Sequence, residues 1–251
     1  MNRRKALTLV VYAAPLTGKD RRALAVVQAM EKVLPGLRLE WEVGQGEHPI
    51  ALQQRDAWLA DRTRDGKFPL LCNGDTSHPV TVNGRGRPGL LGPGGQALSE
   101  VHVELPLDGP VLTVATALLE HVAEEARSFW GHVSPHGYGS EVTRQFRRSP
   151  QGPAHSPRGL PMLNLPEKLP APENPWFLGW LNYWSAATAR AIGFPDPARD
   201  SALLSRARRT DSGGWVVQLT EAPLELDNPT HLEALIRAYE RFPEIGGRSV
   251  P

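Results

Sequence analysis

The order of apolar and polar positions divides the chain into alternating strands and helices. Residues 6 to 12, ALTLVVY, carry apolar side chains at both parities, as a strand covered on both faces requires. A helix is predicted next. Asp20 stands at its cap, Leu24, Val27, Met30 and Leu34 form one stripe, and Pro35-Gly36 ends it. LRLEWEV then alternates, with Leu37, Leu39, Trp41 and Val43 on one face and Arg38, Glu40 and Glu42 on the other, so this strand has a wet side. A weaker helical pattern covers about 50 to 63. FPLLC, PVTV and EVHVEL, separated by glycine-rich turns, predict three consecutive strands in an antiparallel meander.

In the second half, Pro110 sits in the first turn of a strong helix whose stripe is Leu112, Ala115, Leu119, Val122, Ala126 and Phe129. Periodicity is absent from Arg144 to Pro175, where recurrent prolines disfavour helix and central strand alike, so a long extended loop is expected. A loop of that length in a compact domain is usually functional or disordered. Residues 174 to 189, NPWFLGWLNYWSAATA, are uncharged and hold Trp176, Trp180 and Trp184 at i, i+4 and i+8 with Tyr183 beside them. On a helix these rings share a face, which serves either as core or as a partner surface. A further helix is expected from Asp196-Pro197 through Arg209, then a strand in GGWVVQLT, then a helix from Asn228-Pro229 to Pro243. The expected fold is a single α+β domain over residues 1 to 251, with a mixed, mostly antiparallel sheet packed by helices and the proline-rich loop at 144 to 175.

Composition narrows the partners more than the chemistry. With 28 basic and 27 acidic residues the net charge is +1, which supplies no global field for nucleic acid or an anionic membrane. The single Cys72 rules out an intrachain disulfide, and its place in FPLLC predicts a buried, inert thiol. Arg3, Arg4 and Lys5 before ALTLVVYAA imitate a signal peptide, but the run is short, holds Thr8 and breaks at Pro15, so a first strand and a cytoplasmic protein are expected. No segment approaches the roughly 20 apolar residues that span a bilayer.

Each chemical motif has a simpler reading beside it. Gly84 to Gly89 spells G-x-G-x-x-G after a strand, yet Pro88 and the Leu90 to Gly95 run continue a loop where a dinucleotide site needs a helix; a turn is expected. AAPLTGKD places Asp20 where a phosphate loop needs a hydroxyl, and is rejected. His132, His136, Tyr138 and Glu141 follow the long helix and are the candidates for an enzyme of unknown reaction; loop histidines in water are the bland alternative. Glu40, Glu42, Glu124 and Glu125 read as solvated carboxylates. Arg144, Arg147, Arg148, His155 and Arg158, with Arg199, Arg206, Arg208 and Arg209 on the next helix, make a positive patch if they converge. Aromatic residues do not interleave with them, which leaves nucleic-acid binding unsupported. Neither a cofactor nor a metal site is expected.

FPLLCNGD at 68 to 75, GWLNYWSAATARAIGFPDPARD at 179 to 200, GGWVVQLTEAPLELDNPTHLEAL at 213 to 235 and YERFPEIGGR at 239 to 248 resemble a bacterial family of unknown function over nearly the whole chain. More distantly the chain resembles the immunity protein 52 family of polymorphic toxin systems. That likeness lies in the order of elements, Phe129-Trp130-Gly131 at the end of the long helix, Gly179 to Ser185, and the last strand-to-helix unit through Asn228-Pro229. The proline-rich stretch and the N-terminal strand-helix unit fall outside it. The resemblance implies an α+β protein encoded beside a toxin, with a restriction-endonuclease-like toxin as its partner, which it binds and neutralises. The partner-binding residues expected on this basis are Trp130, His132, His136, Tyr138, Arg147, Arg148, Trp180, Tyr183 and Trp184. A regulatory binding protein with no toxin partner is the remaining alternative.

Overall fold

The computed structural model describes residues 6–18, 20–43, 48–63, 66–147, 149 and 152–248. The apolar run at the start forms β1 (Ala6–Ala13), which lies between β6 (Leu98–Pro106) and β7 (Ser128–Pro135) and is antiparallel to both. This central position explains why both parities are apolar. The other strands are β2 (Trp41–Val43), β3 (Pro49–Ala51), β4 (Leu71–Cys72), β5 (Thr81–Arg87), β8 (Leu181–Trp184), β9 (Ala207–Arg209) and β10 (Trp215–Gln218). Together they make one 10-stranded sheet in the order β3-β2-β4-β5-β6-β1-β7-β8-β10-β9, antiparallel at every pairing among the described residues. The expected meander is β4-β5-β6, and Cys72 is buried in it.

The helices are α1 (Arg22–Val33), α2 (Arg55–Arg62), α3 (Gly109–Glu125), α4 (Tyr138–Gln145), α5 (Ala186–Ala191), α6 (Ser201–Leu204) and α7 (Pro229–Arg241). Asp20 starts α1 by accepting the Arg22 amide at 3.0 Å, and the helix buries Ala23, Val26, Val27, Ala29 and Met30. Past its end Gly36 adopts φ +84°, a left-handed position that glycine takes without a Cβ clash. Asp108 caps α3 by accepting the Val111 amide, with Pro110 in the first turn. Asn228 caps α7 in the same way through Thr230. None of the helices among the described residues is long and apolar enough to cross a membrane.

Side chains opposite one another in register share a face. Leu7, Leu9 and Val11 therefore stand with Val101, Val103, Leu105, Val133, Leu181, Tyr183 and Val216, all buried, on the face covered by α1 and α3. The hydroxyl of Tyr183 donates to Glu124 on α3 at 3.0 Å, which fixes that assignment. Val10, Tyr12, Glu100, His102, Trp130, His132, Asn182 and Trp184 lie on the opposite face. Part of that face is covered by irregular chain: Trp176 and Phe177 lie against Tyr12, Trp130 and His132, while Phe194 and Phe242 meet the Trp184 ring edge-on.

Four sequence expectations change here. Residues 174 to 189 are not one helix: Leu181–Trp184 is a strand between β7 and β10, and Ser185 then caps the short α5. A spacing of four satisfies the two-residue period of a strand as well as the helical period, so the tryptophan stripe did not discriminate. The long helix stops before Phe129: Arg127, at φ 52°, turns the chain back, and Ser128 to Pro135 pairs with β1. The stretch from 197 to 209 holds only α6 before Ala207 to Arg209 joins β10 at the sheet edge, so Arg208 and Arg209 are on a strand. Gly84 and Gly86 lie within β5 and not in a turn; a Cβ on Gly84 would fall 2.4 Å from the Phe68 Cβ, so the glycine makes room for that ring.

The proline-rich stretch is irregular as expected, but its first residues close α4, and much of it is packed. Leu160, Leu163 and Leu169 are buried. The Arg147 amide donates to the Leu163 carbonyl and the Leu163 amide to Gln145, both at 2.7 Å, and Asn164 bonds to Gly246 and Gly247. Gly246 lies against Leu163, where a Cβ would approach within 2.5 Å.

Candidate binding surface

Burial separates the residues expected to meet a partner. Trp130, His132, Tyr138, Trp180, Tyr183 and Trp184 are each no more than 6% exposed, so these six form core and present no surface. The reason is local. The Tyr12 ring stacks on Trp130 at 4.1 Å between centroids, an arrangement worth roughly 0.5–1.5 kcal/mol beyond the buried area. The Tyr138 hydroxyl donates to the Leu178 carbonyl at 2.7 Å, while the Leu178 amide donates to the Tyr239 hydroxyl at 3.2 Å. Asn182 exchanges hydrogen bonds with both backbone groups of Gly179, at 2.8 and 3.0 Å, and the Trp180 indole donates to the Thr220 carbonyl. Gly179 itself passes so close to β7 that a Cβ would sit 2.8 Å from the His132 Cβ. The Gly-Trp-Leu-Asn-Tyr-Trp motif thus satisfies the backbone of a buried crossing segment. His136 and Arg147 are exposed, and Arg148 lies outside the described residues.

The enzyme alternative is not assembled. His132 is enclosed, with its Nδ1 3.2 Å from the Ser134 hydroxyl and its ring against Phe177. Burial, with the His102 charge adding to it and Glu100 opposing, lowers its pKa to about 3, so it is neutral at physiological pH. Tyr138 is spent on Leu178, Glu141 pairs with Arg144 and Arg158, and His136 is in solvent. No hydrogen bond or ion pair joins any two of the four.

A charged group that sequence reasoning passed over lies beside this core. Glu100 is buried on β6, accepts from Arg87 at 2.7 Å, and lies 3.0 Å from the His102 ring nitrogen. Burial works to raise its pKa, but the His102 hydrogen bond and the charge and hydrogen bond of Arg87 outweigh it and hold the carboxyl below its ordinary value. The Arg87 guanidinium also rests over Trp176 at 4.5 Å, tying the irregular cover to the sheet. Glu100, His102 and Glu104 alternating with valines in EVHVEL was the available signal for a polar strand face.

Besides Ile50 on β3, which is 50% exposed, two apolar features at the surface bear on binding. The β5–β6 connection carries Leu90, 92% exposed, and Leu91, 49% exposed. It is braced, because the Gly94 amide donates to the Leu169 carbonyl at 2.8 Å. Two leucines inside a Gly-Pro loop were its signal in the sequence. The second feature is a cleft of about 460 Å³ at the end of α4, with Phe146, Pro153, Pro157 and Met162 among its apolar lining and Arg144 and Arg147 as its charged residues. Arg158, also of the expected basic cluster, is turned to Glu141 and Asp227, and Arg208 to Glu120. Among the described residues, no cluster of His, Cys, Asp and Glu has the arrangement of a metal site.

A family profile described as domain of unknown function (DUF5953) matches residues 18–250. The chain belongs to the DUF5953 family. Comparison with curated proteins gives no match. Among solved structures, the fold of this DUF5953 chain is similar to that of the Pseudomonas aeruginosa T6SS protein PA0821. The TM-score is 0.57 at 16% identity, and the match covers 95% of this chain and 73% of the other. At that identity the likeness is one of fold.

Proposed function

We propose that this DUF5953 protein acts in a bacterial toxin system as an immunity-type binding protein, forming a stoichiometric complex that neutralises a cognate protein toxin. The observation that carries the reading is the fold shared with a T6SS protein over 95% of the chain. It agrees with the resemblance of the Phe129–Gly131 and Gly179–Ser185 motifs to the immunity protein 52 family. Surface geometry supports a binding role: Leu90 projects from a connection that is hydrogen-bonded in place, so little ordering entropy is lost when it meets a partner. Near-zero net charge speaks against mimicry of DNA by a field of carboxylates.

The test is co-expression of the tagged chain with the product of the adjacent upstream reading frame. A one-to-one complex together with rescue of growth is the expected result. A toxic neighbour that is neither bound nor neutralised, or a harmless one, sinks the reading.

A further inference from the structure

We infer that the cleft at the end of α4 receives an acidic segment of the protein partner, anchored by one large apolar side chain. The inference rests on the binding role just proposed and adds the chemistry of the docking segment. Phe146 and Met162 are half-buried and, with the exposed Pro153 and Pro157 beside them, give the cleft an apolar lining in which a purely polar ligand would lose hydrogen-bond partners. Its volume of about 460 Å³ is in the range of small-ligand pockets and accommodates a leucine or phenylalanine side chain with adjoining backbone.

Charge selects the flanks of that segment. Among the described residues, the ionised side chains lining the cleft are Arg144 and Arg147, with no lining carboxylate. Arg144 is partly neutralised by Glu141 at 2.5 Å, whereas Arg147 is exposed and makes no ion pair among the described residues. Because the whole chain carries only +1, this local excess is a property of the cleft. Guanidinium groups with free donors favour carboxylates, through bidentate geometry that lysine does not offer.

The Met162 side of the cleft is held before any ligand arrives. Leu163 is hydrogen-bonded on both sides to the 145–147 backbone, and Met162 to the Ala154 carbonyl at 3.0 Å. A preformed cleft loses less entropy on binding than a mobile loop.

The experiment is selection of dodecapeptides from a random phage-displayed library against the full chain, followed by titration of the selected peptide by fluorescence anisotropy. The expected consensus has one large apolar residue flanked by Asp or Glu. Its affinity should fall about tenfold or more in the Arg144→Glu/Arg147→Glu double variant and in Met162→Asp, weaken with added salt, and stay unchanged in Lys32→Ser, an exposed position on α1. Circular dichroism of the double variant, altered only at exposed positions, checks that the fold is kept. A consensus without acidic residues, no peptide enriched over the double variant, or an affinity that these substitutions leave unmoved overturns the inference. The two readings fail separately. Intact peptide binding without growth rescue removes the toxin role, and rescue unchanged by the double variant removes the cleft.

Discussion

Under α1 and α3 the sheet is covered by aliphatic side chains, Leu7, Leu9, Val11, Val103 and Leu181 meeting Leu118, Leu119 and Val122 in one core. The opposite face is covered in part by chain without regular structure, and there the contacts are aromatic rings and buried hydrogen bonds around Trp130, Trp176, Asn182 and Trp184. Helices satisfy their own backbone and can be laid on a sheet by shape alone. An irregular segment must find a partner for every amide and carbonyl it buries, so side chains such as Asn182, Tyr138 and Tyr239 become backbone-binding groups. The tryptophans and the motif asparagine are therefore explained by how the second face is closed.

The strongest way to break this comparison is to empty the aromatic side. Trp184→Ala removes a fully buried ring that meets Phe194 and Phe242 at about 5 Å, and a loss of about 3–5 kcal/mol is expected from urea denaturation. If the loss is below about 1.5 kcal/mol, the irregular cover is not a cooperative part of the core. Next in size, Asn182→Leu keeps the volume but leaves the Gly179 amide and carbonyl without partners; about 2–4 kcal/mol should be lost. Tyr183→Phe, on the helix-covered face, is the matched control. It removes one hydrogen bond to Glu124, which Ser212 still satisfies at 2.6 Å, so about 1 kcal/mol is expected. Equal losses for the Asn182 and Tyr183 variants would erase the proposed difference between the faces.

The same contrast decides what the sequence revealed. β1, the 71–106 meander, α1, α3 and α7 were legible because a regular element on a sheet imposes its own period on the apolar positions. β8 was misread as helix because a four-residue spacing fits both periods, and the start of β7 because the α3 stripe continues by chance into Phe129, while the rest of β7, holding His132, was read as loop. The enclosure of Tyr138, His132 and Trp180 was illegible, since the residues that enclose them come from an aperiodic segment whose path no pattern records. Of the residues expected to meet a partner, His136 and Arg147 stayed at the surface among the described residues, and these are outside the aromatic motifs. Leu90, Phe146 and Met162 passed unnoticed because isolated apolar residues in loops carry no period.

A smaller effect sharpens the comparison through pH. On the irregularly covered face His132 is held neutral with a pKa of about 3, while in the unfolded chain it takes a proton near 6.5. Between those values the unfolded state binds more protons, so stability is greatest above pH 6.5 and falls on acidification by up to about 1.4 kcal/mol per pH unit. Glu100 adds a loss of the same sign at lower pH. Its folded pKa is depressed, so its contribution is present above the unfolded value and disappears as pH falls through the folded one. His132→Gln should remove about one proton from the slope of unfolding free energy against pH between 5 and 6.5, whatever it does to absolute stability. An unchanged slope would mean that His132 is reached by water in the folded protein, contrary to its 5% exposure.

The least stability change is expected where function is proposed. Leu90 is 92% exposed and contributes little to the core, so Leu90→Ser should alter unfolding free energy by no more than about 0.5 kcal/mol. Gly94 still donates to Leu169 in that variant, so the connection keeps its shape and only the apolar tip is lost. If the tip meets the partner, the co-expressed complex dissociates faster in the variant while urea midpoints of the free proteins coincide, and surface plasmon resonance separates the two quantities. Unchanged dissociation would move the contact away from the β5–β6 connection. A large stability loss would instead show that Leu90 packs in solution and make it part of the core after all.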